Sequence, residues 1–264
     1  LVSFGLFGLL VDGEFGGSEL KVIDSVLVSE RLGYFATPIS YVGGMVLSLA
    51  LRDVGKTQQT KYLKELSAGE LRVAFAAAEH CGAKGGSEIV ARGGALFGRS
   101  LFAIDSDADV ILVPSRDEKL FLVPVSSPNL SLRNMNTIDI TRAFGDIVLD
   151  GVEGEEIKAN NTSGPELKKL LAFGRLITAA DTLGACQRML DDSVSYANQR
   201  KQFGRLIGSF QAVKHMCAEM AAKLEPCKAM VWHAACLLDN SNQGALIEAN
   251  LCKAHLSEVG KFVA

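Results

Sequence analysis

The sequence predicts an α+β chain: helices first, then a module of short antiparallel strands, then a long helical bundle. Three observations carry this. Residues 18–68 have helical patterning broken by glycines. Residues 70–152 switch to short β-rich runs punctuated by Gly, Pro, Asn and Ser. Beyond 153, apolar residues return to steps of three and four. The expected domains are therefore 1–69, 70–152 and 153–264.

In the first segment Ser18 is the expected N-cap of a helix and Gly33 its expected stop. A second apolar stretch runs from Pro38 to Leu51, and the polar run KTQQTKYLKELSAGE is expected to end at Gly69. In the middle segment LRVAFAAA, ADVILVP, KLFLVPV and DIVLDGV read as strands. RDEK, between Pro114 and Leu120, reads as a hairpin turn. In the third segment positions 176, 180, 183, 186, 190, 194 and 197 follow helix spacing. Positions 210, 213, 217, 220, 224, 227, 231, 234 and 238 form a bundle seam. Pro226 is expected to kink that helix, because it lacks the N–H for the backbone ladder. A third helix is expected from near Asn242 and is still running at Ala264. With Leu1 at the start and an unfinished helix at the end, the sequence is expected to be an internal piece of a longer protein.

Composition narrows the function classes. A net charge of -3, with 22% charged and 48% hydrophobic residues, gives no reason to expect nucleic acid or an anionic membrane as partner. The apolar runs 1–11 and 41–51 are too short to span a bilayer, and the first lacks a preceding basic segment. The six cysteines form no C-x-x-C pair and lie mostly among apolar neighbours in helical stretches. They are expected to be buried free thiols. The four histidines have no metal-ligand spacing, so no metal is expected. NNTS at 160–163 reads as a polar loop.

The stretch QRKQFGRLIGSFQ, 199–211, stands apart. Arg200 and Lys201 are expected in the last turn of one helix, Gly204 at its left-handed end, and Ser209 as cap of the next. Cations at a helix C-terminus can simply complement its dipole, worth about 0.3–1 kcal/mol each. The whole string offers more. A planar guanidinium beside the free N–H groups of a new helix makes a pyrophosphate seat. Phe203 and Phe210 can hold an adenine or ribose, and Gln211 adds an amide. The chain has neither a G-x-G-x-x-G after a strand nor a G-K-[ST] loop, which excludes Rossmann and P-loop readings.

The run YANQRKQFGRLIGSFQAVKHMCAEMAAKLE resembles the C-terminal helical domain of acyl-CoA dehydrogenases. That family's pattern is Y-x-x-x-R-x-x-F-G followed by I-x-x-F/H-Q-x-x-x-x-x-x-A-x-M. It is met by Tyr196, Arg200, Phe203, Gly204, Ile207, Phe210, Gln211, Ala218 and Met220. GLFGLLVDGEFGGSEL resembles the family's N-terminal run, with Asp12 in place of a proline. The order of domains is the third likeness. The resemblance implies a helical domain, a β domain and a C-terminal four-helix bundle, assembled as homo- or hetero-dimers or tetramers. It implies FAD as cofactor, an acyl-CoA thioester as substrate and an electron-transfer flavoprotein as partner. Arg200, Gln202, Phe203, Phe210 and Gln211 would grip the pyrophosphate and adenosine of an FAD whose ring sits mainly in the neighbouring subunit. The implied setting is fatty acid oxidation in bacterial cytoplasm or a mitochondrial matrix, not secretion.

The chain departs from the pattern around the flavin ring. Ala78 stands where the family has a hydroxyl residue, and His80 where it has proline. Phe102 can still cover the ring, whereas Ile104 replaces a hydrogen-bond donor. Two lost neutral hydrogen bonds are worth about 1–3 kcal/mol together. The family's base is a Glu at one of two places: Gly174 in this chain, or beyond Ala264. Asp181 is nearby but is expected to face solvent, and Arg175 falls at a position near the acyl-CoA site or is a surface charge. Two functions follow. One is an FAD-dependent acyl-CoA dehydrogenase. The other is a degenerate subunit that completes a partner's FAD site, as in family members acting on sterol-CoA esters. An oxidase or monooxygenase has no positive feature here.

Overall fold

The computed structural model describes residues 5–52, 54–158 and 166–264 of the 264-residue chain. The helices are α1 Val22–Tyr34, α2 Val42–Ala50, α3 Lys56–Ala68, α4 Leu167–Ala197, α5 Gln211–Asp239 and α6 Ala245–Val263. The strands are β1 Val73–Phe75, β2 Ser87–Arg92, β3 Ala95–Ile104, β4 Val110–Pro114, β5 Leu120–Pro124, β6 Leu130–Asn134, β7 Phe144–Glu153, β8 Glu155–Glu156, β9 Lys201–Gln202 and β10 Arg205–Leu206. The order is helices, sheet, helices, as the patterning predicts. The chain forms two compact units, Leu1–Lys21 with Pro38–Gly174, and Val22–Thr37 with Arg175–Ala264.

The first unit is built on one sheet of order β6-β7-β3-β1-β4-β5-β8, with β2 on β3. Its ladders are antiparallel except β1–β4, which is parallel. Alternating residues such as Ile111, Val113, Phe121, Val123, Ile147 and Leu149 fill one face. Leu112 and Leu122, on the opposite face, are fully buried as well. α2 lies tight on β1: a Cβ on Gly43 would stand 1.8 Å from the carbonyl oxygen of Val73. The buried carboxylate of Asp105 accepts the Gly43 N–H at 3.0 Å, in the first turn of α2. RDEK is the expected turn between β4 and β5, with Glu118 at φ 61. α3 ends at Gly69, φ 72, as expected.

The second unit is helical. The α5 seam is buried at 220, 224, 227, 231, 234 and 238, and α6 continues it at 249, 252, 256, 259 and 263. Positions 210, 213 and 217 of the seam are only half-buried, and Val194 of the α4 stripe is 39% exposed. α5 runs unbroken through Pro226. The third helix starts at Ala245, where the Asn242 side chain accepts the Gly244 N–H at 2.8 Å.

Three expectations are corrected. Ser18 is not a cap: α1 starts at Val22, and its first N–H groups, on Val22 and Ile23, are held by the carboxylate of Asp239 at 2.7 and 3.1 Å. Gly33 is not a stop but a contact point. A Cβ there would sit 1.9 Å from the carbonyl oxygen of Asp181 on α4. Gly184 mirrors it, with Glu30 O at 1.8 Å, so the two glycines let α1 and α4 cross backbone to backbone. Among the thiols, Cys186, Cys227 and Cys252 are buried, but Cys81 and Cys236 are exposed. Burial pushes Cys186 and Cys252 up to about 11, so both stay protonated and unreactive. NNTS lies outside the described residues.

Candidate functional site

In the second unit, α4 ends at Ala197, three residues earlier than the placement of Arg200 in its last turn requires. Arg200 N still bonds to Tyr196 O at 2.9 Å, and Ile207 N to Arg200 O at 2.8 Å. Between these bonds β9 and β10 form a small hairpin. Its two-residue turn is Phe203 and Gly204, φ 53 and 77, the left-handed pair that matches the twist of a tight hairpin. Gly204 therefore serves the hairpin and not the helix end. Phe203 is the tip and is 91% exposed.

Arg205 lies over the Phe210 ring at 4.0 Å, and Phe203 meets the same ring edge-on at 6.2 Å. Arg200, Lys201 and Arg205 have no carboxylate partner among the described residues. Ser209 is not the cap of α5. Its hydroxyl bonds back to Leu206 O at 2.7 Å, and the N-cap position is Phe210, which makes no side-chain cap. The 29-residue helix thus begins with uncapped N–H groups. Free cations, an uncapped helix start, exposed amides on Gln202 and Gln211, and a stacked Arg–Phe pair form one surface. Its chemistry fits a dinucleotide's phosphates and adenosine.

In the first unit, Ala78 is half-buried and leads into a 3-10 turn, Glu79–Cys81. Phe102 is 46% exposed and left-handed, φ 57, while Ile104 is half-buried and pairs with Phe75 and Phe144. Neither Ala78 nor Ile104 carries a side-chain donor. The His80 Nε2 atom is buried without a partner among the described residues. Glu79, which sequence reading passes over, accepts from Ser100 Oγ at 2.6 Å and Leu101 N at 2.7 Å. No local pattern announces that role, because the partners lie more than 20 residues away.

Gly174 is buried in the first unit. A Cβ there would meet Val46, Phe75 and Val42 at 3.6, 3.8 and 3.9 Å, ordinary contact distances in an apolar wall. In the second unit the Arg175 guanidinium is held by Asn250 Oδ1 at 2.8 Å, and Asp181 is half-buried. The described residues contain no group of three or more His, Cys, Asp or Glu suited to a metal. No helix among them is long and apolar enough to cross a membrane.

Comparison with known proteins decides the family. The acyl-CoA dehydrogenase N-terminal domain matches residues 1–70 and the C-terminal domain matches 166–264. The caffeyl-CoA reductase-Etf complex subunit CarC of Acetobacterium woodii is 30% identical over 98% of this chain and 74% of its own. This chain belongs to the acyl-CoA dehydrogenase family. Family members are flavin oxidoreductases acting on a CH–CH bond, with FAD as cofactor. The acyl-CoA dehydrogenase fold recurs in a steroid ACAD, Tcur3481-Tcur3483, at TM-score 0.85 and 26% identity, covering 100% of this chain and 73% of that one. The ChsE4-ChsE5 complex from Mycobacterium tuberculosis gives TM-score 0.86 at 24% identity, with coverage of 100% and 73%. The chain spans 66% of acyl-CoA dehydrogenase IpdE2 of Mycolicibacterium smegmatis, 28% identical.

Proposed function

We propose that the chain works in an FAD-dependent acyl-CoA dehydrogenase, in α,β-dehydrogenation of an acyl-CoA thioester. The observation that carries this is the hairpin at 200–206, whose unpaired cations lie next to the uncapped start of α5. Bound FAD supplies the acceptor for the hydride that leaves the β-carbon. The chain's own residues bind and orient it. Arg200 and the first N–H groups of α5 hold the pyrophosphate, Phe203 and Phe210 flank the adenosine, and Gln202 and Gln211 donate amide hydrogens. Ala78, Phe102 and Ile104 would face the ring of another FAD, whose adenosine the neighbouring subunit grips, with Phe102 covering it, and Arg175 would approach the CoA end. The boundaries 1–69, 70–152 and 153–264 go with this reading.

A second reading is favoured by a specific observation. α-Proton removal needs a desolvated carboxylate. The family's base position is Gly174, lined by Val42, Val46 and Phe75. Together with Ala78 and Ile104, this supports a subunit of a heteromeric enzyme that completes its partner's FAD site. The similar ChsE4-ChsE5 is a complex, and CarC is a subunit of a caffeyl-CoA reductase-Etf complex, so a second subunit and an electron-transfer flavoprotein are the proposed partners. A bulky, sterol-derived acyl chain is the proposed substrate class, and bacterial cytoplasm or a mitochondrial matrix the setting.

The deciding experiment is the visible absorbance spectrum and flavin stoichiometry of the full-length protein, purified alone and with its co-purifying subunit. One FAD per subunit in the protein alone supports the autonomous dehydrogenase. Colourless protein that gains FAD only with a partner, at half stoichiometry, supports the completing subunit. No flavin in either sample would sink both.

A further inference from the structure

We infer that Glu79 is a positioning residue for the flavin-ring seat: its carboxylate holds the β3 bulge that presents Phe102. The inference rests on the reading that Phe102 and residue 78 face a flavin. The β3–β7 ladder pairs Ser100 with Ile147, then resumes at Ala103 with Gly145, with a register shift between. Leu101 and Phe102 have no register partner in β7, and neither β1 nor β2 pairs with them. The Leu101 N–H therefore has no ladder acceptor, and a buried orphan N–H is costly. Glu79 Oε1 accepts it at 2.7 Å, and Oε2 accepts the hydroxyl of fully buried Ser100 at 2.6 Å.

Two further features surround this latch. A Cβ on Gly86 would stand 2.1 Å from Glu79 Oε1 and 2.8 Å from Arg99 O, so glycine is what leaves room for the carboxylate. On the strand itself, Arg99 Nε and Nη2 both bond to Asp146 of β7 at 2.8 Å, pinning the residue before Ser100. Phe102, held between these constraints and Ala103, takes the left-handed φ of 57 that a non-glycine residue adopts only when its surroundings impose it. Glu79 follows Ala78 directly, so one carboxylate couples the turn carrying residue 78 to the strand carrying Phe102 and Ile104.

The test uses the full chain with its co-purifying subunit, as wild type, Glu79→Ala and Glu79→Gln. Glutamine keeps an acceptor for the Leu101 N–H and can donate to Ser100 Oγ. Amide exchange over 97–104 is read in flavin-free protein. FAD affinity is read by flavin fluorescence titration, and the ring's surroundings by the visible band of bound flavin. Glu79→Ala is expected to speed exchange at Leu101 about tenfold or more. It is also expected to weaken FAD by about tenfold and move the visible band, with Glu79→Gln restoring all three. Unchanged exchange overturns the latch. Faster exchange with unchanged affinity and band overturns its link to the ring. If wild type takes up no FAD in any preparation, the functional reading fails on its own, and the ring-seat role falls with it. Should Glu79→Ala not fold, Ser100→Ala removes one bond only and is expected to shift the same readouts by a smaller factor. No shift there overturns the proposal equally.

Discussion

In the 199–211 stretch the charges are cations, exposed and without a carboxylate partner among the described residues; in the 77–109 region three carboxylates, Glu79, Asp105 and Asp109, are turned onto backbone N–H groups. Glu79 takes Leu101 N–H, Asp105 takes Gly43 N–H, and Asp109 takes Arg72 N–H while also gripping the Arg72 side chain. One region uses charge to fix its own shape. The other leaves charge available for an anion. The contrast separates the two parts of the proposed cofactor site: the proposed adenosine grip has cations and amides exposed, while the proposed ring seat has no side-chain donor at Ala78 or Ile104.

The largest effect is expected at the hairpin. Arg200→Ala with Arg205→Ala should weaken FAD by about 10²–10⁴, since two charge-assisted hydrogen bonds are worth about 1.5–3 kcal/mol each. Thermal stability should hardly move, because both side chains are exposed. Fluorescence titration beside a melting curve reads both. A loss under about threefold would remove the hairpin from the site.

In the inward-facing region the expectation reverses. Asp105→Ala orphans the Gly43 N–H at the start of α2 and should cost about 2–3 kcal/mol, read as a lower urea midpoint with an unchanged slope. If stability holds, that carboxylate is not a tether.

A gain-of-function pair sharpens the contrast. Ala78→Thr with Ile104→Thr places two donors at the positions proposed to face the ring. If this chain seats its own ring, FAD affinity should rise by about one to two orders of magnitude, from about 0.5–1.5 kcal/mol per bond. No gain would favour the completing-subunit reading.

The smallest effect is a pH dependence. Burial pushes Glu155 up, but hydrogen bonds from Lys61, Gln58 and Tyr62 outweigh it and hold the carboxyl below its usual range. A folded-state pKa below the unfolded value means the folded state binds fewer protons in that window. The contribution is therefore fully present above about pH 4–5 and disappears as pH falls through the folded value. Wild type should melt above Glu155→Gln at pH 7, and the two curves should converge as the pH falls through the lowered folded-state value. Because Glu155 is about one-third exposed, the gap should be modest.

The residues that were legible share a local cause. The α5 seam follows from period alone, and every position from 220 onward is buried where the spacing puts it. The strands at 73–75, 110–114, 120–124 and 144–153 follow from β-branched runs between breakers. β2 and β3 escaped because register shifts break their period of two; β6, Leu130–Asn134, alternates but is short and has no fully buried residue to mark it. The hairpin at 201–206 was hidden for another reason: Phe203 is a poor candidate for a left-handed turn, and only its place beside Gly204 and the Arg205–Phe210 stack holds it there.

By itself the sequence determined the order of helices and strands, the bundle seam and the residue types of the cationic stretch at 199–211, since each depends on neighbours within a few turns. Tertiary structure decided which groups those residues meet. Gly33 reads as a stop until α4 brings the Asp181 carbonyl against it. Ser18 reads as a cap until Asp239, 217 residues from Val22, supplies the acceptor. Glu79 reads as a loop charge until a bulge on β3 strips Leu101 of its ladder partner. A short-range pattern records what a residue can do. The distances at which backbones cross and donors lose their acceptors exist only once the chain has folded.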